Sequence, residues 1–240
     1  MRRAALLGCK GPMTNLPFSP LDRPIWHSLT GRQGALAIGD ARALRFRPDV
    51  NLFGEAACDS SEALAALAAL VPDGGTLGLI GVGPAVLPPG TAIVSERQLD
   101  QMVATRLHRA ARDVDIVRLG DDDAPEMLAL ATLTAPGPFF AATHLQGGYI
   151  GVRRAGRLVA MAGERMKVPG FSEVSAVCTH PDFRGQGFAR ALMEAVIAPL
   201  IAGGEGVFLH SYADNPAVAL YRALGFETRR ELTYTVIKRA

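Results

Sequence analysis

Apolar positions along this chain change period repeatedly, from two to between three and four and back, as strands interleaved with helices require. In the first half, ALAIG and ALRF flank a polar Asp-Ala-Arg and predict a hairpin. SSEALAALAAL (60–70) opens on serines and carries an alanine–leucine face, which predicts a helix stopped by VPDGG. TLGLIGV reads as a buried strand. In LPPGTAIVSERQLDQMV the period is ambiguous, and both a turn into a strand and a mixed segment fit.

The basic, polar stretch TRLHRAARD (105–113) is the expected boundary between two halves. Beyond it, DVDIVRLG predicts a strand and DDDAPEMLALATL a helix with aspartates near its positive end. PGPFFAATHL predicts a second short helix, and YIGVRRAGRLVAMAGERM a hairpin. SEVSAVCTH is a β-branched strand ending at Pro181. GFARALMEAVIAPL is amphipathic, with Phe188, Leu192, Ala195 and Val196 on one face, and is expected to end near Pro199. GVFLHSY (strand), NPAVALYRALG (helix) and FETRRELTYTVIKR (a closing strand pair) complete a β-α-α-β-β-β-α-β-α-β-β order.

Composition narrows the class. The chain has 240 residues, 49% hydrophobic and 20% charged, with net charge +2; this is ordinary for a globular enzyme and carries no basic excess of the kind a nucleic-acid binder needs. No apolar run approaches the roughly 20 residues of a membrane span. Three scattered cysteines, Cys9, Cys58 and Cys178, form no CxxC pair; they argue against a disulfide framework or a zinc site and fit a reducing compartment. The start, MRRAALLGCK, resembles a lipoprotein signal, but its apolar core is too short. Residues 1–12 are therefore expected to be a tag-like or disordered start, Met13 is a plausible first residue, and the expected location is the cytoplasm.

The chemistry concentrates in CTHPDFRGQGFA (178–189), where a strand meets a helix. The first turn of that helix has backbone N–H groups without intrahelical partners, and the helix dipole adds to their pull on an anion. Gly185 and Gly187 lack Cβ atoms, so an oxyanion can come close to the backbone. Arg184 can supply charge-assisted, directional hydrogen bonds to phosphate. A tight turn with a solvated arginine fits the same spacing. No P-loop string occurs, and GVGPAV (81–86) is a weak dinucleotide fingerprint, since it lacks the third small residue and has proline where the helix should continue.

Arg184-Gly185-Gln186-Gly187-Phe188-Ala189 resembles the Q/R-x-x-G-x-G/A signature of the GNAT N-acetyltransferase superfamily, in the extended form VCTHPDFRGQGFA. ADNPAVALYRALGF resembles the second signature of that superfamily. The resemblance covers roughly residues 113–240 and looks closest to the branch with a glycine N-acyltransferase-like C-terminal domain. It implies an α/β (α+β) fold with a mixed, splayed central sheet flanked by helices, preceded by a smaller mixed α/β half over 13–110 that shows no recognisable signature of its own. It implies acetyl-CoA, or another acyl-CoA, as co-substrate, with no metal.

Residue by residue, the resemblance implies that Arg184, Gly185, Gln186, Gly187, Phe188 and Ala189 hold the pyrophosphate. Ala176, Val177, Cys178 and Thr179 would pair with the pantetheine amides, in a slot between this strand and GVFLHSY. A backbone N–H near Val177 would polarise the acyl carbonyl. By periodicity Tyr221 is a core residue; the resemblance makes it the general acid, and a phenol protonated at neutral pH suits a departing thiolate. Asn215 precedes Pro216 and fits a helix cap, a cofactor contact, or both. Glu173 shares a strand side with Ser175 and Val177 and is the candidate base, against a solvated strand end or a water chain. His180 and His210 are left outside the catalytic set, and Cys178 reads as a small buried group.

The expected activity is transfer of an acetyl or other short acyl group to a primary amine of a small molecule or amino acid, by direct attack in a ternary complex. A catalytically silent acyl-CoA sensor is the alternative. The acceptor side is expected from 136–148 and the VPGF turn (168–171), with Phe139, Phe140, His144 and Phe171 at an apolar mouth. Expected partners are the amine alone, with no nucleic acid and no membrane, in a monomer or homodimer.

Overall fold

The computed structural model describes residues 19–110 and 114–240, so the expected start segment 1–12 lies outside the described residues. The first stretch forms α1 (Pro24–Leu29), β1 (Ala37–Gly39), β2 (Ala43–Phe46), β3 (Gly54–Ala56), α2 (Ser61–Ala69), β4 (Leu77–Gly81) and β5 (Thr91–Ala104). The second forms β6 (Val117–Leu119), α3 (Ala124–Thr134), β7 (Tyr149–Arg154), β8 (Arg157–Val168) and β9 (Phe171–Thr179). It closes with α4 (Phe188–Ala202), β10 (Gly206–Tyr212), α5 (Val218–Leu224) and β11 (Glu227–Arg239).

Strands β1-β2-β3 make a small sheet, and an eight-stranded sheet runs β4-β11-β5-β10-β9-β8-β7-β6. Every neighbouring pair in the large sheet is antiparallel except β9 and β10, which are parallel. The fold is α+β with a mixed sheet, as expected. The stretch of ambiguous period became β5, a 14-residue strand inserted between β10 and β11. The segment 105–113 therefore links two strands of one sheet and does not separate two sheets.

Helices α4 and α5 cover one face of this sheet through Phe188, Leu192, Val196, Ile197 and Leu224, packed on Val159, Val174 and Leu209. On the other face α3 packs Met127 and Leu130 on Met161 and Cys178. There, too, α1 and the small sheet bury Leu21, Ile25, Phe46 and Phe53 with Ile80, Leu99, Met166 and Phe208. Burying each such side chain contributes about 1.5–3 kcal/mol, so residues 19–110 and the C-terminal half share one core. The junction is tight at Gly78, where a Cβ would lie 2.3 Å from Leu52 Cδ1; its backbone bridges Phe53.

Three local expectations are corrected. The closing strand pair is one strand, β11, running along β5 with a bulge between Thr228 and Arg230. Its polar middle sends Arg229 and Arg230 to Asp22, at 2.7 and 3.1 Å. Helix α4 runs through Pro199 to Ala202; a proline in the last turn forfeits only one ladder bond. PGPFFAATHL is irregular, with a single 3-10 turn at Thr143–Gln146. Cys178 is free and buried.

Candidate functional site

The parallel pair holds the site. Strands β9 and β10 pair only over Phe171–Glu173 with Gly206–Phe208. Beyond that point β10 stays on β5 as far as Tyr212, and β9 stays on β8 as far as Thr179. The two strands part, as expected, and a cavity fills the gap. It encloses about 700 Å³ counted out to its open mouth.

A bulge on β9 shapes this slot. Two residues of β8, Met161 and Gly163, face a stretch running from Cys178 to Ser175, one residue too many. Ala176 absorbs the excess at φ 54, a left-handed backbone that costs an L-residue roughly 1–2 kcal/mol. Val174, Ser175, Ala176 and Val177 all line the cavity as a result. Strict alternation, which put Glu173, Ser175 and Val177 on one side, does not survive the bulge. Past it, His180 donates its N–H to Val159 O at 2.8 Å, so the alternate residues Val177 and Thr179 turn theirs toward the slot.

At the end of β9 the chain makes a 3-10 turn at Pro181–Phe183 and enters α4 through two left-handed glycines, Gly185 at φ 77 and Gly187 at φ 80. Nothing lies within 4 Å of the place a Cβ would occupy on Gly185. The helical ladder starts with Ala191 N–H on Gly187 O at 3.1 Å, which leaves the amides of 188–190 directed out of the helix end. Arg184 is exposed beside them, its Nε 3.4 Å from Thr179 O. Arg154 lies over the Phe188 ring at 4.9 Å and adds a second cation. An open, basic, amide-lined turn has the chemistry a pyrophosphate needs.

Tyr221 and Asn215 both line the cavity. Asn215 Oδ1 accepts from Ala217 N–H at 2.9 Å, which closes the turn before α5; the N-cap position itself is Ala217, with no side-chain cap. Burial raises the proton affinity of the Tyr221 phenol, and Asn215 beside it offsets part of the rise. The ring is braced edge-on by Phe226 at 6.3 Å. Tyr221 is thus a protonated donor in the gap between the strands.

Glu173 is sealed, against the expectation of a base. It is fully buried, and Arg165 grips it with Nε on Oε2 at 2.9 Å and Nη2 on Oε1 at 2.5 Å. His210 Nδ1 sits 2.8 Å from Oε1, and Met166 N–H donates at 3.3 Å. Burial alone would raise its proton affinity; Arg165 and then His210 outweigh that and bring the carboxyl down to about 2. A carboxylate so satisfied takes no proton from an amine, and it is no solvated strand end either. Arg229 donates to Gln101 Oε1 at 2.8 Å. That fixes the Gln101 amide so that its Nε2 meets His210 Nε2 at 3.2 Å, which leaves the His210 Nδ1–H for Glu173.

The remaining expectations sort as follows. Cys178 is buried, and that burial pushes its thiol up to about 11, so it is no nucleophile. His180 accepts from Asp182 N–H at 3.3 Å and contacts Arg157. None of Phe139, Phe140, His144 and Phe171, the side chains expected at the mouth, lines the cavity. Phe139 packs edge-on to Tyr149 at 5.9 Å. His144 pairs with Asp121 at 3.0 Å, and Phe171 fills the paired end of β9 beside Gly206. Of the expected stretch, only Pro136, Gly137 and Pro138 reach the cavity. Its lining also includes Phe53, Ile80, Leu99, Tyr212 and Tyr234; three of these come from residues 19–110 and carried no local signal. Among the described residues no cluster of His, Cys, Asp or Glu is placed to hold a metal.

The sheet is thus parted at its one parallel pair, with a phenol in the gap and a glycine turn following the parted strand. The FR47-like protein family matches residues 149–236. A protein from Novosphingobium aromaticivorans assigned to the GNAT acetyltransferases is 42% identical, with 93% of this chain and all of that one covered and a TM-score of 0.85. Two further structures share the fold. A GCN5-related N-acetyltransferase from Kribbella flavida is 20% identical, covering 88% of this chain and 91% of its own, at TM-score 0.57. A Drosophila melanogaster protein is 15% identical, covering 84% and 76%, at 0.58. No curated protein matches. The chain belongs to the GNAT acetyltransferase superfamily, whose members use acyl-CoA.

Proposed function

We propose that this chain transfers an acetyl or other short acyl group from acyl-CoA to the primary amine of a small molecule, by direct attack in a ternary complex. The observation that carries this reading is the partly buried Tyr221 side chain in the same cavity as the freed edge of β9. A sensor would need the turn and the edge but not the acid.

The residues divide the work. The amides after Arg184, with Arg184 itself, hold the pyrophosphate, and the edges of Val177 and Thr179 hold the pantetheine arm. The Val177 N–H polarises the acyl carbonyl; such a donor is worth about 100–1000-fold in rate. The amine nitrogen attacks the carbonyl carbon, a C–N bond forms and the C–S bond breaks. Tyr221 gives its proton to the leaving sulfur. The proton shed by the amine passes to water and restores the phenol. With Glu173 locked, no carboxylate on the cavity wall serves as base, and the amine must arrive neutral or lose its proton to solvent.

Amine-dependent release of CoA tests the reading. Tyr221→Phe should lower kcat by about 100–10,000-fold while acetyl-CoA still binds as in the wild type. Unchanged turnover in the variant contradicts the assigned role, and tight acetyl-CoA binding without release from any amine supports the sensor.

A further inference from the structure

The apolar part of the cavity lining has a defined chemistry. Phe53, Ile80, Leu99, Tyr212 and Tyr234 make it up. The Phe53 and Tyr234 rings meet edge to face with centroids 5.8 Å apart, so the two rings are mutually fixed. Burial pushes the Tyr234 phenol up to about 12, which keeps it a neutral donor. The Arg97 guanidinium lies 3.5 Å from the Tyr212 ring centroid and already occupies one face of that ring.

Charge on this wall is cancelled. Arg165 is the one charged side chain lining the cavity. Glu173 takes its Nε and Nη2 together, and Glu173 is itself saturated by Arg165, His210 and the Met166 N–H. Outside the cavity, Asp214 is exposed and 3.4 Å from Arg97. A second ammonium on the acceptor would find no carboxylate inside. A carboxylate on the acceptor would meet a cation already neutralised, at the cost of its own hydration.

We propose that the acceptor is a primary monoamine on an apolar body of aromatic size, with neither a carboxylate nor a second ammonium. This rests on the acyltransfer reading and narrows it by excluding free amino acids and polyamines. Residues 19–110 thereby acquire a role: Phe53, Ile80 and Leu99 supply the surface that selects the acceptor. Each methylene that the wall buries raises kcat/KM about fourfold.

The test is a panel of 2-phenylethylamine, ethylamine, phenylalanine and spermidine, run with acetyl-CoA on the wild-type chain. Calorimetric binding of the same four amines, with and without CoA, forms a second arm that needs no turnover. The inference expects 2-phenylethylamine to exceed each of the other three by 10-fold or more, in kcat/KM and in affinity. Leu99→Ala should raise KM for 2-phenylethylamine several-fold more than it raises KM for ethylamine. Equal or better use of phenylalanine or spermidine overturns the inference, as does acetyl-CoA binding with no preference for the aromatic amine. If acetyl-CoA does not bind, the acyltransfer reading falls, while the order of amine affinities still decides this inference.

Discussion

Arg165 and Glu173 face one another across the β8–β9 hairpin as a two-pronged ion pair, Nε to Oε2 at 2.9 Å and Nη2 to Oε1 at 2.5 Å, with both side chains almost wholly out of water. The pair sits where β9 leaves β10, and it turns a candidate base into a structural anion. A buried pair of this kind costs much to break and little to replace. Arg165→Leu should destabilise the chain by about 3–5 kcal/mol in urea unfolding. Replacing both residues with leucine should recover a large part of that loss. Equal losses in the single and double variants would refute the pairing.

Acid should act through the same carboxylate. Its proton affinity falls from the ordinary 4.5 to about 2 in the fold, so its stabilisation is complete above pH 4.5 and disappears as pH drops toward 2. The full effect is on the order of 3 kcal/mol. Asp22 and Glu205, also held below the usual carboxylate range, add to the slope. Unfolding measured at steps between pH 5 and pH 2 should show a steep loss in the wild type and a shallower one in Glu173→Gln. Parallel curves would mean that Glu173 is not held as described.

The bulge offers a separate handle. Ala176 adopts φ 54, where a β-branched side chain meets its own backbone. Ala176→Val should cost about 1–2 kcal/mol in thermal or urea unfolding, and acetyl-CoA affinity should fall with it as the β9 edge straightens toward β10. A variant with wild-type stability and affinity would show that the bulge does not form the slot.

What could be read along the chain was local. The glycine turn at 184–189, the β-branched run at 174–179 and the inward tyrosine of α5 each lie within a dozen residues, where periodicity and turn chemistry act. What could not be read depends on contacts across the fold. Phe53, Ile80 and Leu99 look like ordinary apolar positions until Phe53 is bridged to Gly78 and β5 is inserted between β10 and β11. Period two put Glu173 on a face but could not say that the face was buried. One signal was present: Arg165 and Glu173 stand on either side of the VPGF turn, where a hairpin brings opposite charges together. The expected strand pair at 226–239 failed for a related reason. Its polar middle serves Asp22, more than 200 positions away.

The central claim is that an acyl-CoA lies along the freed edge of β9 with its diphosphate on the first turn of α4. Amide hydrogen exchange with and without acetyl-CoA tests this most directly. The account predicts slowed exchange confined to residues 174–179 and 186–190, with Gly187→Trp abolishing the protection. Protection at other segments, or none at saturating acetyl-CoA, would contradict it.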